Sequence, residues 1–240
     1  MAEPVVGVPD EGAATSPLVQ QLVETIQDRI SRGTYSFGTW IRQEPLAQEL
    51  GVSRMPIREA LAQLQALGVV EIVPNRGARP KLPSMRELLE VFEVRAVLEG
   101  HAAHEAARQI TYTQLRELFD AVESFRGVVE QALTGEADPE ELRAGWVHAN
   151  NAFHDTVLAA SGNDQLRATV DSLHHRIPRN LTWTALDADP RLLEENAAAH
   201  AAIADAIDRR DGNLARDLMI EHSRRARELI IKRSHQSFAP

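Results

Sequence analysis

Arg54 and Arg58 stand four residues apart at the start of an amphipathic segment, which places their guanidinium groups one above the other on a helical face. Two forked donors at the N-terminal end of a helix match guanine O6 and N7 in a major groove. Met55, Ala62 and Gln65 share that face, while Ile57, Ala60, Leu61, Leu64 and Leu67 repeat with helical period toward an expected core. Upstream, Leu46, Ala47 and Leu50 give a shorter helix its apolar side, Gly51 ends it, and Ser53 stands where it would N-cap the next. Downstream, 69–73 and 78–82 read as the strands of a small hairpin around Pro74-Asn75-Arg76-Gly77, with Gly77 supplying the positive φ of a tight turn. Arg76 and Arg79 are then expected to project from this wing toward phosphate or a minor groove. Helix, turn, helix and basic hairpin make a winged helix-turn-helix, and the implied chemistry is binding of double-stranded DNA.

A second set of polar residues points inward. Trp146, Asn150, Phe153 and Val157 form one helical stripe with His154 beside it; Leu193, Asn196, His200, Ile203 and Ile207 form another; Leu214, Leu218, His222 and Leu229 a third. Three imidazoles and an amide from three helices thus face one interior. Buried imidazoles need partners, and one divalent metal ion would serve all of them. Imidazole suits zinc, nickel and manganese alike, so the metal's identity stays open. Taken singly, each histidine also reads as a hydrogen-bonded core residue. Arg95 lies with Val91, Leu98 and Ala102 on an apolar stripe, where it would fork onto a ligand carboxylate or pair with Glu99 four residues on, the weaker order along a helix. His174 shares a stripe with Leu166, Val170 and Ile177 and is a candidate for the same pocket.

The elements that must position these groups are almost all helical. Helices are expected near 85–109, 112–134, 139–161, 164–184, 190–210 and 213–234, with Pro178 interrupting the fourth. Ser84 caps the first, Thr111 and Gln114 form a capping box, and Asp138-Pro139 and Asp189-Pro190 each set a capping Asp before a proline at the first helical position. Gly162 and Gly212 fall where helix ends belong. The chain therefore divides into an acidic arm (1–16), three helices plus a hairpin (17–83), an all-α antiparallel bundle (84–235) and a short tail (236–240). The fold class is mainly α.

The segment 41–80 resembles the DNA-binding domain of the GntR family of bacterial transcription regulators, through LGVSR at 50–54, PIREAL at 56–61 and RGA at 76–78. That resemblance implies DNA contacts at Arg42, Ser53, Arg54, Met55, Arg58 and Gly77, which Arg76 of the wing is expected to join. Glu44 departs from the fatty-acid-responsive branch, which often carries an arginine there, so that branch's operator does not transfer. The rest of the chain is similar to the FCD effector-binding domain found behind many such winged helices. The matching pieces are EVRAVLEGHAAHEAA at 93–107, NNAFH at 150–154, ASGN at 160–163, HAAIADAI at 200–207 and MIEH at 219–222. Many FCD domains hold a divalent metal with an Asp-x3-His pair and two later histidines, which implies Asn150, His154, His200 and His222 here. Asn in place of Asp leaves the ion's double charge unreduced, so metal should bind less tightly and an anionic ligand more strongly.

Composition narrows the remaining classes. The chain has 240 residues and a formal net charge of −9, yet residues 17–83 carry eight basic groups against six acids. DNA affinity is then expected to be salt-dependent and to need a dimer. There is no cysteine, hence no disulfide or thiolate metal site, and no run of eighteen apolar residues. No signal-peptide pattern opens the sequence, and a cytoplasmic location is expected. The expected function is a homodimeric, ligand-responsive repressor on a palindromic operator, with a small carboxylate metabolite at the metal and no membrane partner. The alternatives are a metal-free acyl or lipid pocket and a metal-dependent hydrolase. The second has no well-placed Glu base and leaves the winged helix unexplained, so the chain is not expected to be an enzyme.

Overall fold

The computed structural model describes residues 16–31, 34–35, 39–81, 84–176 and 181–237. The chain divides into two compact units, one holding residues up to Gln27 with Gly38–Lys81, the other Asp28–Phe37 with everything from Leu82 onward. The fold is mainly α, a winged helix-turn-helix followed by a helical bundle.

The N-terminal elements are α1 (Pro17–Ser31), α2 (Gln43–Glu49), α3 (Arg54–Ala66), β1 (Val70–Val73) and β2 (Gly77–Pro80). Ile57, Ala60, Leu61 and Leu64 of α3 are buried as their period requires. Leu67, expected among them, is 64 % exposed, because it is the C-cap and lies beyond the last packed turn. The hairpin is antiparallel, with Glu71 opposite Arg79 and Val73 opposite Gly77. Ile41 adds a one-residue bridge to the wing: its N–H donates to Ala78 O at 2.7 Å, and the Ala78 N–H returns to Ile41 O at 3.0 Å. Gly77 is dictated twice over, by a φ of +115° and by a Cβ that would stand 2.7 Å from the Ile41 carbonyl oxygen.

The helical unit contains α4 (Met85–Gln109), α5 (Tyr112–Thr134), α6 (Pro139–Ala160), α7 (Asp164–Arg176), α8 (Leu181–Leu186), α9 (Pro190–Asp208) and α10 (Gly212–Ser237). The helix expected over 164–184 corresponds to α7 and α8; residues 177–180 between them, with Ile177 and Pro178, lie outside the described residues. Ser84 with Glu87 and Thr111 with Gln114 close reciprocal capping boxes. Asp138 and Asp189 accept from the Glu140 and Arg191 N–H groups at 3.0 Å, with proline at the first helical position. Each cap stabilises its helix by about 1 kcal/mol. Gly162 takes a positive φ after α6, but Gly212 does not end a helix: it begins α10. Arg210 instead takes the left-handed conformation after α9, and its guanidinium donates to Ala107 O and Ile110 O at the end of α4.

α4 packs along α10, and α5 against α6 and α9. Phe125, Trp146 and Phe153 are buried to within 1 % at the centre of this core. Side chains of that size contribute about 1.5–3 kcal/mol each. The inward stripe of α10 is Ala215, Met219, His222, Ser223, Ala226 and Ile230. The expected stripe began at Leu214, which is 44 % exposed, while Leu218 and Leu229 are partly buried at the edge of the packed face.

Candidate functional site

In the N-terminal unit the arginines converge. Arg42 at the N-cap of α2, Arg54 and Arg58 on the first turns of α3, and Arg76 in the β1–β2 turn line one cleft of about 690 Å³, together with Trp40, Glu44 and Gly77. All four arginines are exposed, so their charge is available to a polyanion. Glu44 Oε2 lies 3.1 Å from Arg54 Nη1 within this cleft. Met55, 58 % exposed, projects from α3 beside Arg54.

Two residues behave otherwise than their types suggest. Ser53 is the N-cap of α3, but its hydroxyl makes no capping hydrogen bond. Pro56 occupies the third helical position and has no N–H to donate, so one of the usual capping donors is missing. The exposed hydroxyl and the first-turn N–H groups face outward at a helix N-terminus, an arrangement suited to a phosphate. Arg79, expected to reach DNA, instead pairs with Glu71 across the hairpin and lies 5.2 Å over the Trp40 ring. The antiparallel register sets Glu71 directly opposite it.

In the helical unit, His154 of α6, His200 of α9 and His222 of α10 are buried together, their nearest ligand atoms all within 4.8 Å of one another. The His200 ring stands 5.6 Å from that of His154 and 4.3 Å from that of His222. Phe125 stacks on His200 at 4.2 Å, and Phe153 meets it edge-on at 4.7 Å. His200 Nδ1 donates to Asn196 O at 2.9 Å, which fixes the tautomer and turns the lone pair of Nε2 toward the cluster. That Nε2 is buried without a hydrogen-bond partner among the described residues. Burial, and then the charges of His222 and His154, hold His200 well below the ordinary imidazole range. Burial likewise brings His222 down to about 4; Glu99 opposes the shift while Arg95 and Arg225 add to it. His200 and His222, held toward the neutral imidazole, and an unsatisfied buried nitrogen are donors of the kind a divalent ion takes. Asn150, one turn before His154 on α6, is half-buried.

Arg95 is buried and bonded to a neighbour on its own helix. Its Nε and Nη2 donate to Glu99 Oε1 at 3.2 and 3.1 Å, the pairing that the i,i+4 spacing allowed. His174 Nε2 lies 3.4 Å from the same oxygen, and Ser223 Oγ donates to Glu99 Oε2 at 3.3 Å. A buried guanidinium requires a partner at hand, and one turn of helix supplies it. Burial pushes the Glu99 carboxyl up, but Arg95, the hydrogen bond from His174 and the histidine charges outweigh it and hold the group well below its usual range.

Next to His222 lies a cavity of about 250 Å³ between α8, α9 and α10, lined by Leu186, Leu192 and Leu229 and by the polar Glu195, Asn196, Arg225, Glu228 and Lys232. The Asn196 side-chain oxygen is buried without a hydrogen-bond partner among the described residues. Sequence reasoning placed Asn196 on the inward stripe without a role, and missed Ser223, Arg225 and Lys232. The polar spacing of α10, at 222, 225 and 232, was the available signal.

Two family models match the chain: the bacterial regulatory proteins of the gntR family over residues 18–79, and the FCD domain over residues 90–225. The chain is 28 % identical over 205 residues to a protein of Paenarthrobacter nicotinovorans named "Probable D-xylose utilization operon transcriptional repressor", covering 85 % of each. It is 26 % identical over 216 residues to the HTH-type transcriptional repressor RspR of Escherichia coli K12, covering 90 % of each. It is also 26 % identical to the Exu regulon transcriptional regulator of the same strain, covering 92 % of this chain and 87 % of that one. Among solved structures, E. coli McbR/YncC shares the fold with a TM-score of 0.72 at 20 % identity, covering 91 % of this chain and 99 % of that one.

Proposed function

The chain belongs to the GntR family of bacterial regulatory proteins and carries an FCD domain, so it is a DNA-binding transcription regulator and not an enzyme; from that premise we propose a metal-dependent, carboxylate-responsive repressor. Residues 17–83 are its DNA-binding domain and 84–235 its effector domain. Arg54 and Arg58 read guanine edges, Arg42 and Arg76 hold flanking phosphates, and Ser53, Met55 and Gly77 complete the contact surface. Two copies bind one palindromic operator in the cytoplasm.

The observation that carries the effector half is the convergence of His154, His200 and His222 on an unsatisfied Nε2. With Asn150, these residues would hold a zinc, nickel or manganese ion. A bound ion supplies a Lewis-acidic anchor for a carboxylate oxygen. The cavity beside His222 would take the rest of the ligand, with Arg225 and Lys232 as cationic partners and Asn196, Glu195 and Glu228 as acceptors for hydroxyl groups. Such a lining suits a hydroxylated acid better than an acyl chain. The names of the D-xylose and Exu relatives make sugar-derived acids the first to try. Phe125 and Phe153 exclude water around His200, and Asn196 O orients its ring. The ligand acts only through its different affinity for two dimer geometries, of which one fits the operator.

The test is a thermal-shift screen of sugar acids and other carboxylates on metal-replete and metal-stripped protein. Ligand at a hundredfold over its Kd should add about 2.7 kcal/mol to stability. A stabilising acid whose effect disappears on stripping, and which releases a selected operator, supports the reading. Hits that ignore stripping would sink it.

A further inference from the structure

The buried polar side chains of the helical unit form almost a single constellation. Among the described residues they are Arg95, Glu99, His154, Ser161, His174, His200, His222 and Ser223. Ser161 bonds locally to Leu158 O; Arg95, Glu99, His174 and Ser223 form one bonded network, and the remaining three are the histidine cluster. Glu99 is the only buried acid among the described residues. Three side chains grip it through four contacts, and one of them, Ser223, immediately follows His222 on α10.

The charge balance of the cluster is incomplete without this carboxylate. Three neutral imidazoles and an amide at position 150 bring no negative charge to a divalent ion, and a bare dication in a packed core is unfavourable. Arg95, itself buried, would add a further positive charge nearby. At His222 the fields of the two partners oppose each other, and that of Glu99 is the stronger. The electrostatic influence of Glu99 also extends to His154.

We propose that Glu99 is the counter-anion of the His154–His200–His222 site, a carboxylate on α4 that offsets the ion's charge where Asn150 on α6 does not. The proposal rests on reading the triad as a metal site. It makes Glu99 a charge-compensating residue that touches no ion: Arg95, His174 and Ser223 hold it in place, and the site gains negative charge without losing an open coordination position. It also predicts opposite effects from the two ends of one ion pair, which a merely structural role for the pair would not produce.

The experiment is a titration of zinc and of nickel into chelator-stripped full-length protein at neutral pH, followed by calorimetry, with circular dichroism as the fold control. Glu99→Gln should weaken metal binding by about 10- to 100-fold, the usual effect of losing an outer partner of a metal site. Arg95→Gln, which removes the opposing charge, should tighten it. Asn150→Asp in the Glu99→Gln background should recover affinity, because the missing charge returns from the other side. Equal affinity in Glu99→Gln, weakening in Arg95→Gln, or no recovery in the double variant would each overturn the proposal. If Glu99→Gln does not fold, Arg95→Gln decides alone, tighter binding supporting and unchanged or weaker binding overturning. An unsubstituted protein that binds no metal would overturn the metal site and the counter-anion together; metal binding indifferent to these substitutions removes only the latter.

Discussion

The arginine cleft and the histidine cluster solve opposite electrostatic problems. In the cleft, Arg42, Arg54, Arg58 and Arg76 are exposed within 35 residues of sequence, and water keeps their mutual repulsion small. In the cluster, charged and polar groups from α4, α6, α7, α9 and α10 are sealed from water, so every one must be partnered or neutral. The cleft can therefore change residues with little effect on the fold. The cluster cannot, because the groups that would serve its chemistry also hold the bundle together.

The largest expected effect tests that contrast directly. Arg95→Ala strips Glu99 of its main cation and should destabilise the protein by about 3–5 kcal/mol, whereas Arg54→Ala, losing only an exposed partner in Glu44, should stay within about 0.5 kcal/mol. Chemical denaturation of both variants checks this, and equal losses would erase the distinction. Acid should separate the regions next. The folded value of His222 is about 4 against 6.5 for an ordinary imidazole, so the unfolded chain binds the proton more readily between those values. Stability is full above about pH 6.5 and falls by roughly 3 kcal/mol from this group as pH drops toward 4. A metal-free protein with flat stability over that window would contradict the burial.

Smaller effects belong to the cleft. Arg54→Ala and Arg58→Ala should each cost about 1–3 kcal/mol of discrimination against altered operator bases, read by selection from a randomised duplex library. Arg42→Ala and Arg76→Ala should instead weaken all sequences alike and lower the salt dependence by about one phosphate each. Swapped outcomes would reassign which pair reads bases. Ser53→Ala is the smallest: a capping serine would cost about 1 kcal/mol, and here the melt should move by less than about 0.5 kcal/mol while operator affinity falls.

What was legible in the sequence follows the same division. The winged helix was readable because its signals are local: the helix end at Gly51, the α3 period and the turn before Gly77 each span a few residues. The capping residues of α4, α5, α6 and α9 were readable for the same reason. Long-range choices were not. Arg79 and Glu71 meet only through strand register, and Leu214 lost its place in the core because packing, not period alone, selects the buried face of α10. The three histidines could be brought together from their stripes, but Glu99 as the hub needed the fold, since Ser223 and His174 reach it from other helices.

The chain's three tryptophans fall on both sides of this division. Trp40 lies beneath Arg79 on the wall of the arginine cleft. Trp146 touches Phe125, which stacks on His200, and its ring centre is 6.2 Å from that of Trp183. Each region therefore has its own intrinsic fluorophore. With Trp40→Phe, emission reports only on the bundle, and a paramagnetic ion at the histidines should quench it. With Trp146 and Trp183 both changed to Phe, the remaining emission follows DNA entering the cleft, so the two events can be timed against each other in one unlabelled protein.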